Sequence, residues 1–526
     1  MARKIAIVPL DDRPCCYSFT ERLGQIGAVE VVQPPKEILG KFTEPGCGDS
    51  LNEWLETTAP HVDGLVIAID QLAYGGLVAS RTMDRTLEVS LAYVNVLKKI
   101  KTKYPQLPIY AASVLMRLSI TSKNAEYNNY WRDVFQYSRL YDYVHRLGKE
   151  EYKEELNQIE RKIPSSVLEE YLLARKRNHF INKQMIDWVA DDVLDFLIIT
   201  QEDASDVGLH LSEQRVLMEH IFEKKVQERV MLYPGADEAT QTLLARMVHY
   251  FRQAQVKIYP KYLSLAGRAV VPKFEDRPLE EAVRAHIAAA GALCVESIEE
   301  ADLLLYINTP LDDQSVDGFK GFGKKAYFHS RHQYWDFIAS MKHYMSKGYP
   351  VVVADLAFPN AADLELIQLL LQNGTYMKLA GYAGWNTSGN SLGTCISHGV
   401  MSVLWQTGES VESTALQAHL QFLIERLLDE WAYQANVRTE VNHWLEQTLQ
   451  ISPSYLGDDY ERVDKKVRQG LKRYFEEVKD VLIGSVFKVN DSTYAMTRVE
   501  CTHVALPWNR TFEVDVSVSC ELETLG

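Results

Sequence analysis

Cysteine is scarce in this sequence, and what there is makes no pattern. Seven cysteines are spread over 526 residues. None forms a CxxC pair, so no zinc-finger spacing and no dithiol redox motif is offered. Cys15 and Cys16 are neighbours and the other five are scattered. An odd count without a framework points to reduced thiols in a cytoplasm, most of them small core residues. No window approaches the ~20 apolar residues that a membrane-spanning helix needs. The opening apolar run is too short for the core of a signal peptide and stops at "DDR". Basic residues are outnumbered, 56 against 71 acidic, for a formal net charge of −15. That disfavours a nucleic-acid partner, because phosphate binding needs clustered Lys and Arg. There is no Walker motif, no proper GxGxxG fingerprint and no GxSxG nucleophile elbow. No fixed-period repeat or low-complexity linker interrupts the chain.

What is present is a succession of Val- and Ile-rich runs separated by helix-like segments. The first half holds "KIAIVPL", "VEVVQP", "GLVIAI", "PIYAASVLM", "FLIITQ" and "RVMLYPG". The second holds "VKIYP", "DLLLYIN", "PVVVADL" and "YMKLAGYAGW". Continuous apolarity marks strands buried on both faces. "TLEVSLAYVNVLKKIKTKY" and "ATQTLLARMVHYFRQAQ" between them fit amphipathic helices. Alternation of the two predicts parallel βαβ units and an α/β fold. Two architectures satisfy it: Rossmann-like parallel sheets in two lobes, or a β/α barrel with additions. Uneven linkers favour the open sheets. We expect an N-terminal α/β domain over 1–255, with a Tyr-rich helical insert near 123–190, and a second α/β domain over 256–404. Residues 405–526 read as a helical segment followed by a small β region, with "ND" as a turn.

In either architecture ligands bind at the carboxyl ends of the strands. The first strand is followed by Asp11, Asp12 and Arg13. "GLVIAI" is followed by Asp70 and Gln71, then by Tyr74 and Arg81 in "AYGGLVASR". "PIYAASVLM" leads to Arg117 and Ser119, "FLIIT" to Gln201, Glu202 and Asp203, and "RVMLY" to Asp237 and Glu238. In the second half, "PVVVA" leads to Asp355 and "KLAGYAGW" to Asn386, Thr387 and Asn390. A lone strand-end Asp is most simply a helix cap. Pairs such as "DD", "ED" and "DE" exceed what capping needs, and crowded carboxylates raise one another's pKa. Acid–base sites use that arrangement.

Weaker features accompany these. "GYAGWNTSGNSLGT" is a strand-to-helix turn whose glycines admit close backbone approach and whose Asn, Thr and Ser offer neutral donors. His329 and His332 in "HSRH" have a one-face spacing, although two histidines alone are usually structural. "DGFKGFGKK" reads as a loop of unspecific function. His210 follows the Glu202–Asp203 loop closely. Trp508 and Arg510 in "LPWNRTFE" could meet a sugar face, but a core aromatic is the simpler reading.

"IVPLDDRP", "AYGGLVASR", "MRLS", "PGADE", "EDRPL", "GWNTSGNSLGT" and "LPWNRTFE" together resemble the bacterial domain-of-unknown-function family 4127, over nearly the whole chain. No activity or catalytic residue goes with that family, so the resemblance implies little about function. The family commonly reads "DDRPVN" where this chain has Cys15 and Cys16, which puts a direct role for position 16 in doubt. It commonly reads "QDD" where this chain has Gln201–Glu202–Asp203, so position 202 keeps its carboxylate one methylene further out.

Three functions are compatible with these residues. The first is a hydrolase on a small polar, carbohydrate-like substrate, working through paired carboxylates as glycosidases do. It would use Asp203 and Asp237 as acid and base, with Asp12 and Asp70 in support. Arg13, Tyr74, Arg81, Arg117, Glu202, Glu238, Asn386, Thr387 and Asn390 would bind substrate. The second is a metal-dependent hydrolase or lyase with an oxygen-rich cage for Mg²⁺ or Mn²⁺. No cofactor is certain, and a divalent metal is admissible. The third is a non-catalytic protein with two lobes closing on a small ligand. A small-molecule partner is expected, with no nucleic acid and no membrane, in the cytoplasm; nothing in the sequence sets the oligomeric state.

Overall fold

A computed structural model describes residues 2–121, 125–310, 326–406, 413–489 and 492–525. By contact density the chain divides into two compact units. The first comprises Met1–Tyr17, Glu30–Leu244 and Phe274–Arg277; the second comprises Ser18–Val29, Ala245–Lys273 and Pro278–Gly526. Residues 405–526 therefore cluster with the second unit.

The first unit is built on a six-stranded sheet of β1 (Lys4–Val8), β2 (Glu30–Val32), β3 (Gly64–Ala68), β4 (Ile109–Leu115), β5 (Phe196–Gln201) and β6 (Val230–Pro234). Their order is β2-β1-β3-β4-β5-β6, and every pair is parallel. β3, β4 and β5 are buried along their whole length, as their predominantly apolar runs require. Helices including Gly48–Thr58, Ser165–Ala190 and Leu209–Lys224 join the strands. "TLEVSLAYVNVLKKIKTKY" forms two helices rather than one, Leu87–Val94 and Val96–Lys103, parted at Asn95. The insert between β4 and β5 is helical, with Ala125–His145, Lys153–Lys162 and Ser165–Ala190. It closes on its own cluster of Val134, Tyr137, Leu140, Leu156, Leu168 and Tyr171.

The second unit carries β7 (Lys257–Tyr262), β8 (Leu293–Cys294), β9 (Leu303–Asn308), β10 (Val351–Asp355) and β11 (Gly381–Ala383), ordered β11-β10-β9-β7-β8 and all parallel. The sequence reading has no β8, because two residues make no apolar run. A near-continuous helical stretch from Ser413 to Leu449, with π-turns over Leu427–Val437 and Leu445–Leu449, precedes the helix Tyr460–Leu482. A three-stranded antiparallel sheet follows: β12 (Val486–Val489), β13 (Ser492–Ala505) and β14 (Asp515–Thr524). The "ND" turn lies outside the described residues.

The parallel sheets are open, with β2 and β6 as edges of one and β11 and β8 as edges of the other. That decides against a β/α barrel. Both are wound alike. The first strand lies inside, the second pairs on one flank, and the remaining strands run out on the other. Chain direction across the sheet thus reverses between β1 and β3, and again between β7 and β9. Such switch points are where doubly wound sheets leave a crevice at their carboxyl edge.

Candidate functional site

The carboxyl edge of the first sheet concentrates buried charge. Just beyond β1, Arg13 folds back on Asp11, its Nε donating to Oδ1 at 2.9 Å and its Nη2 to Oδ2 at 2.8 Å. The same Nη2 donates to Asp237 Oδ1 at 2.6 Å, and Nη1 donates to Oδ2 at 3.3 Å. Asp237 follows β6. β1 and β6 stand four strand spacings apart, about 19 Å. The two loops therefore meet above the ends of β3, β4 and β5. Gln241 adds a second tie, donating to the Cys15 carbonyl at 2.7 Å. Burial pushes the Asp237 carboxyl up to about 6, with Arg13 opposing and Asp11 adding to the rise. Asp12 is half-buried, and its backbone N–H donates to the Gly40 carbonyl at 3.2 Å. Glu238 turns onto its own loop, accepting from the Ala236 N–H at 2.9 Å.

A second group gathers at the ends of β4 and β5. Arg81 pairs with Glu202 Oε1 and donates to Thr121 Oγ1 at 2.7 Å. Burial pulls the Arg81 guanidinium down to about 10 despite Glu202. Arg117 Nη2 stands 2.7 Å from Asp203 Oδ2, and Arg117 Nη1 4.0 Å from Glu202 Oε1. The Arg117 and Asp203 side chains keep 18% and 26% of their surface exposed, so this pair forms the rim, while Arg81 and Glu202 lie beneath. Glu202 Oε2 is buried with no hydrogen-bond partner. Asp203 holds φ at +38°, in the left-handed region that non-glycine residues avoid. The Arg117 guanidinium lies 5.9 Å from the ring of half-buried Trp131, which stacks on Phe135.

Asp70 follows β3, buried within electrostatic reach of Glu202. Its Oδ2 accepts from the Val114 N–H of β4 at 2.8 Å; its Oδ1 is buried with no partner. Burial pushes the carboxyl up to about 7, and the charge of Glu202 adds to the rise. Gly75 and Gly76 turn the following chain at φ +91° and +136°, conformations that favour glycine, and a side chain at Gly75 would also meet the backbone of Gly46. Arg177 of the helix Ser165–Ala190 then holds the "GGLVASR" segment, donating to the carbonyls of Ser80, Thr82 and Arg85. Its guanidinium also lies over the Tyr74 ring at 4.3 Å. The helical insert thereby sets the position of Arg81.

Cys15 and Cys16 line the Arg13 cluster. Their sulfurs stand 3.8 Å apart, and Cys16 Sγ is 3.9 Å from Arg13 Nη2. Cys15, Cys16 and Asp237 each offer one ligand atom, all within 4.8 Å of one another, and could hold a divalent metal ion. All seven cysteines are free thiols.

Of the residues expected from the sequence, Asp12, Arg13, Asp70, Tyr74, Arg81, Arg117, Glu202, Asp203, Asp237 and Glu238 belong to the first unit. The charges of Asp203, Arg117 and Arg13 all act on Arg81, and that of Glu202 acts on both Asp70 and Asp237. Asn386, Thr387 and Asn390 belong to the second unit, at the end of β11, where Thr387 Oγ1 accepts from the Asn390 N–H at 3.4 Å. Asp355 of that unit is buried among Asn308, Asp363 and Tyr382. His210 is fully buried, 4.0 Å from Asp276. Trp508 is core, 2% exposed, and Arg510 pairs with Glu513, so neither offers a sugar platform. The side chains of His329 and His332, and the loop "DGFKGFGKK", lie outside the described residues.

The profile of the family described as "Protein of unknown function (DUF4127)" matches residues 5–517. The chain belongs to this family. No curated protein matches it. Among solved structures, one described as "The Structure of a C2-type Ketoreductase from a Modular Polyketide Synthase" is similar at 9% identity and a TM-score of 0.20, covering 77% of this chain and 75% of that one. So low a TM-score carries no argument. No described helix of this DUF4127 chain is long and apolar enough to cross a membrane.

Sequence reasoning missed Trp131, Arg177 and the two cysteines as parts of this edge. Trp131 and Arg177 come from the insert, far from any strand end, and no local signal marks them. Gln71, expected at this strand end beside Asp70, accepts on Oε1 from the Gly40 N–H at 3.1 Å. The cysteines follow "DDRP" directly, but without a CxxC spacing they carry no metal signature.

Proposed function

We propose that the protein is a hydrolase acting on a small polar, carbohydrate-like substrate at the carboxyl edge of the first sheet. The observation that carries this reading is the contrast between Asp70 and Glu202. Asp70 is buried, leaves Oδ1 without a partner and holds its proton up to about pH 7. Glu202 is ion-paired to Arg81 beside Arg117 and leaves Oε2 without a partner. Two carboxyl groups in opposed settings are what acid–base cleavage of a glycosidic bond uses: one donates a proton to the leaving oxygen, the other acts as base or nucleophile. Asp203 and Asp237 are the pair favoured by sequence alone. Glu202 too has a guanidinium partner but keeps Oε2 unbonded, whereas Asp237 has both oxygens on Arg13 and Asp203 is the direct partner of Arg117, so we assign Asp203 and Asp237 to holding Arg117 and Arg13 in place.

Substrate orientation falls to the rim. Arg117 and Asp203 can bond hydroxyl groups, and Trp131 offers an aromatic face of the kind that sugar rings pack on. The free thiols fit a reducing compartment such as the cytoplasm. The test is a panel of glycosides assayed with the wild type, Asp70→Asn and Glu202→Gln. Turnover that falls at least about 100-fold in both variants, with circular dichroism unchanged, supports the reading. Turnover unchanged in both variants overturns it.

A further inference from the structure

We propose that Cys15, Cys16 and Asp237 form a binding site for a thiophilic divalent cation of the Zn²⁺ class, with a fourth position left for water or a ligand oxygen. The sequence offers an oxygen cage suited to Mg²⁺ or Mn²⁺, but the donors that converge here are two sulfurs and one carboxylate. Sulfur donors select Zn²⁺, Cd²⁺ and Co²⁺ over the hard cations. The sulfur spacing supports this directly. Two sulfurs each about 2.3 Å from an ion, at the tetrahedral angle, stand about 3.8 Å apart. Cys15 Sγ and Cys16 Sγ are 3.8 Å apart. The loop closed by Arg13 and Gln241 therefore holds the two sulfurs at a spacing that a shared ion accepts, with an Asp237 ligand atom within 4.8 Å of them.

The neighbouring guanidinium does not forbid a cation. With both thiols protonated, Asp11, Asp237 and Arg13 sum to one negative charge. An ion that binds as M²⁺ displaces two thiol protons to solvent and leaves two thiolates. The added charges, two positive and two negative, cancel, and the cluster keeps its net charge. Arg13 Nη2, 3.9 Å from Cys16 Sγ, can donate to the thiolate so formed. Asp237 keeps a second oxygen for Arg13 while it gives one to the ion. Two thiolates and one carboxylate would hold such an ion with three protein ligands, and the ion would supply Lewis-acid chemistry to a water or ligand oxygen in the fourth position.

The site stands apart from the hydrolase reading, because its test reads binding and not turnover. The reduced full-length chain is titrated with ZnCl₂ and CoCl₂ in weak buffer. The expected result is uptake with release of two protons per Zn²⁺. With Co²⁺, a sulfur-to-metal charge-transfer band and strong visible absorption of tetrahedral type should appear, and excess Mg²⁺ should not compete. Cys15→Ser and Cys16→Ser should each weaken uptake by more than about 100-fold, beyond the loss that a merely supporting residue gives. Asp237→Asn should weaken it while the charge-transfer band persists. Three results overturn the proposal: no charge-transfer band in the wild type, a band unchanged in both serine variants, or displacement by Mg²⁺. If a serine variant unfolds, the wild-type proton count decides alone, and uptake without proton release overturns the site.

Discussion

Arg13 and Asp237 are 224 positions apart in the chain, yet Arg13 Nη2 donates to Asp237 Oδ1 at 2.6 Å. One guanidinium thus holds two buried carboxylates, Asp11 and Asp237, and joins the loops of two strands that do not touch. Removing it leaves both carboxylates buried without their counter-charge. Arg13→Met should destabilise the protein by about 3–5 kcal/mol in urea denaturation. The triple variant with Asp11→Asn and Asp237→Asn should recover most of that loss, because the uncompensated charge goes with it. Arg13→Lys should rescue poorly, since an ammonium cannot reproduce two forked contacts.

Asp70 links stability to pH. Its folded pKa, about 7, lies above the ordinary value of 3.8, so the folded state binds this proton more tightly than the unfolded one. The stability it contributes is fully present below pH 3.8, falls as pH rises and is gone above about 7. Asp70→Asn keeps an acceptor for the Val114 N–H and removes the ionisation. Relative to wild type, this variant should therefore gain stability with rising pH, on the order of 1.4 kcal/mol per pH unit between those values. Urea midpoints compared near pH 5 and near pH 8 would show it. A difference that does not change with pH would contradict the assignment.

The same group sets a pH–rate expectation. As general acid, Asp70 must carry its proton, so kcat/KM should decline as pH rises through about 7. Asp70→Asn should remove that limb along with most of the activity. One substitution would then raise alkaline stability and abolish turnover, the trade expected where a buried group is retained for chemistry.

Arg177 acts at a distance from the rim. Its three carbonyl contacts at Ser80, Thr82 and Arg85 bracket Arg81. Arg177→Met should lower kcat more than it raises KM and shift the pH–rate profile, because Arg81 would no longer hold Glu202. Arg177→Lys should not restore the profile, for lack of the planar fork. A variant that loses stability but keeps the profile would make Arg177 purely structural.

The first-half strands, β7, β9 and β10 were legible because each is a short apolar run closed by polar residues, and that signal is local. β8 was not, because a two-residue strand has no periodicity to read. The strand-end residues were legible as a set, since the doubly wound fold puts every strand's carboxyl end on one edge. Their roles were not legible. Asp203 and Asp237 look like unencumbered carboxylates in sequence, and each proves to have an arginine on it. Asp70 looks like a cap for the next turn, but its Oδ2 bonds the neighbouring strand.

The sequence by itself determined that this protein would be built of parallel βα units, with acidic pairs gathered along the carboxyl edges. Hydrophobic period and turn chemistry act over a few residues, and a single chain displays them. Only the tertiary structure decided which charge meets which. Strand order brings Arg13 to Asp237 and Arg81 to Glu202, and it sets Cys15 and Cys16 beside a carboxylate from the far side of the sheet. Those pairings, and the burial that moves Asp70 and Asp237 toward neutral pH, depend on contacts between residues far apart in the chain. Local pattern carries no record of them.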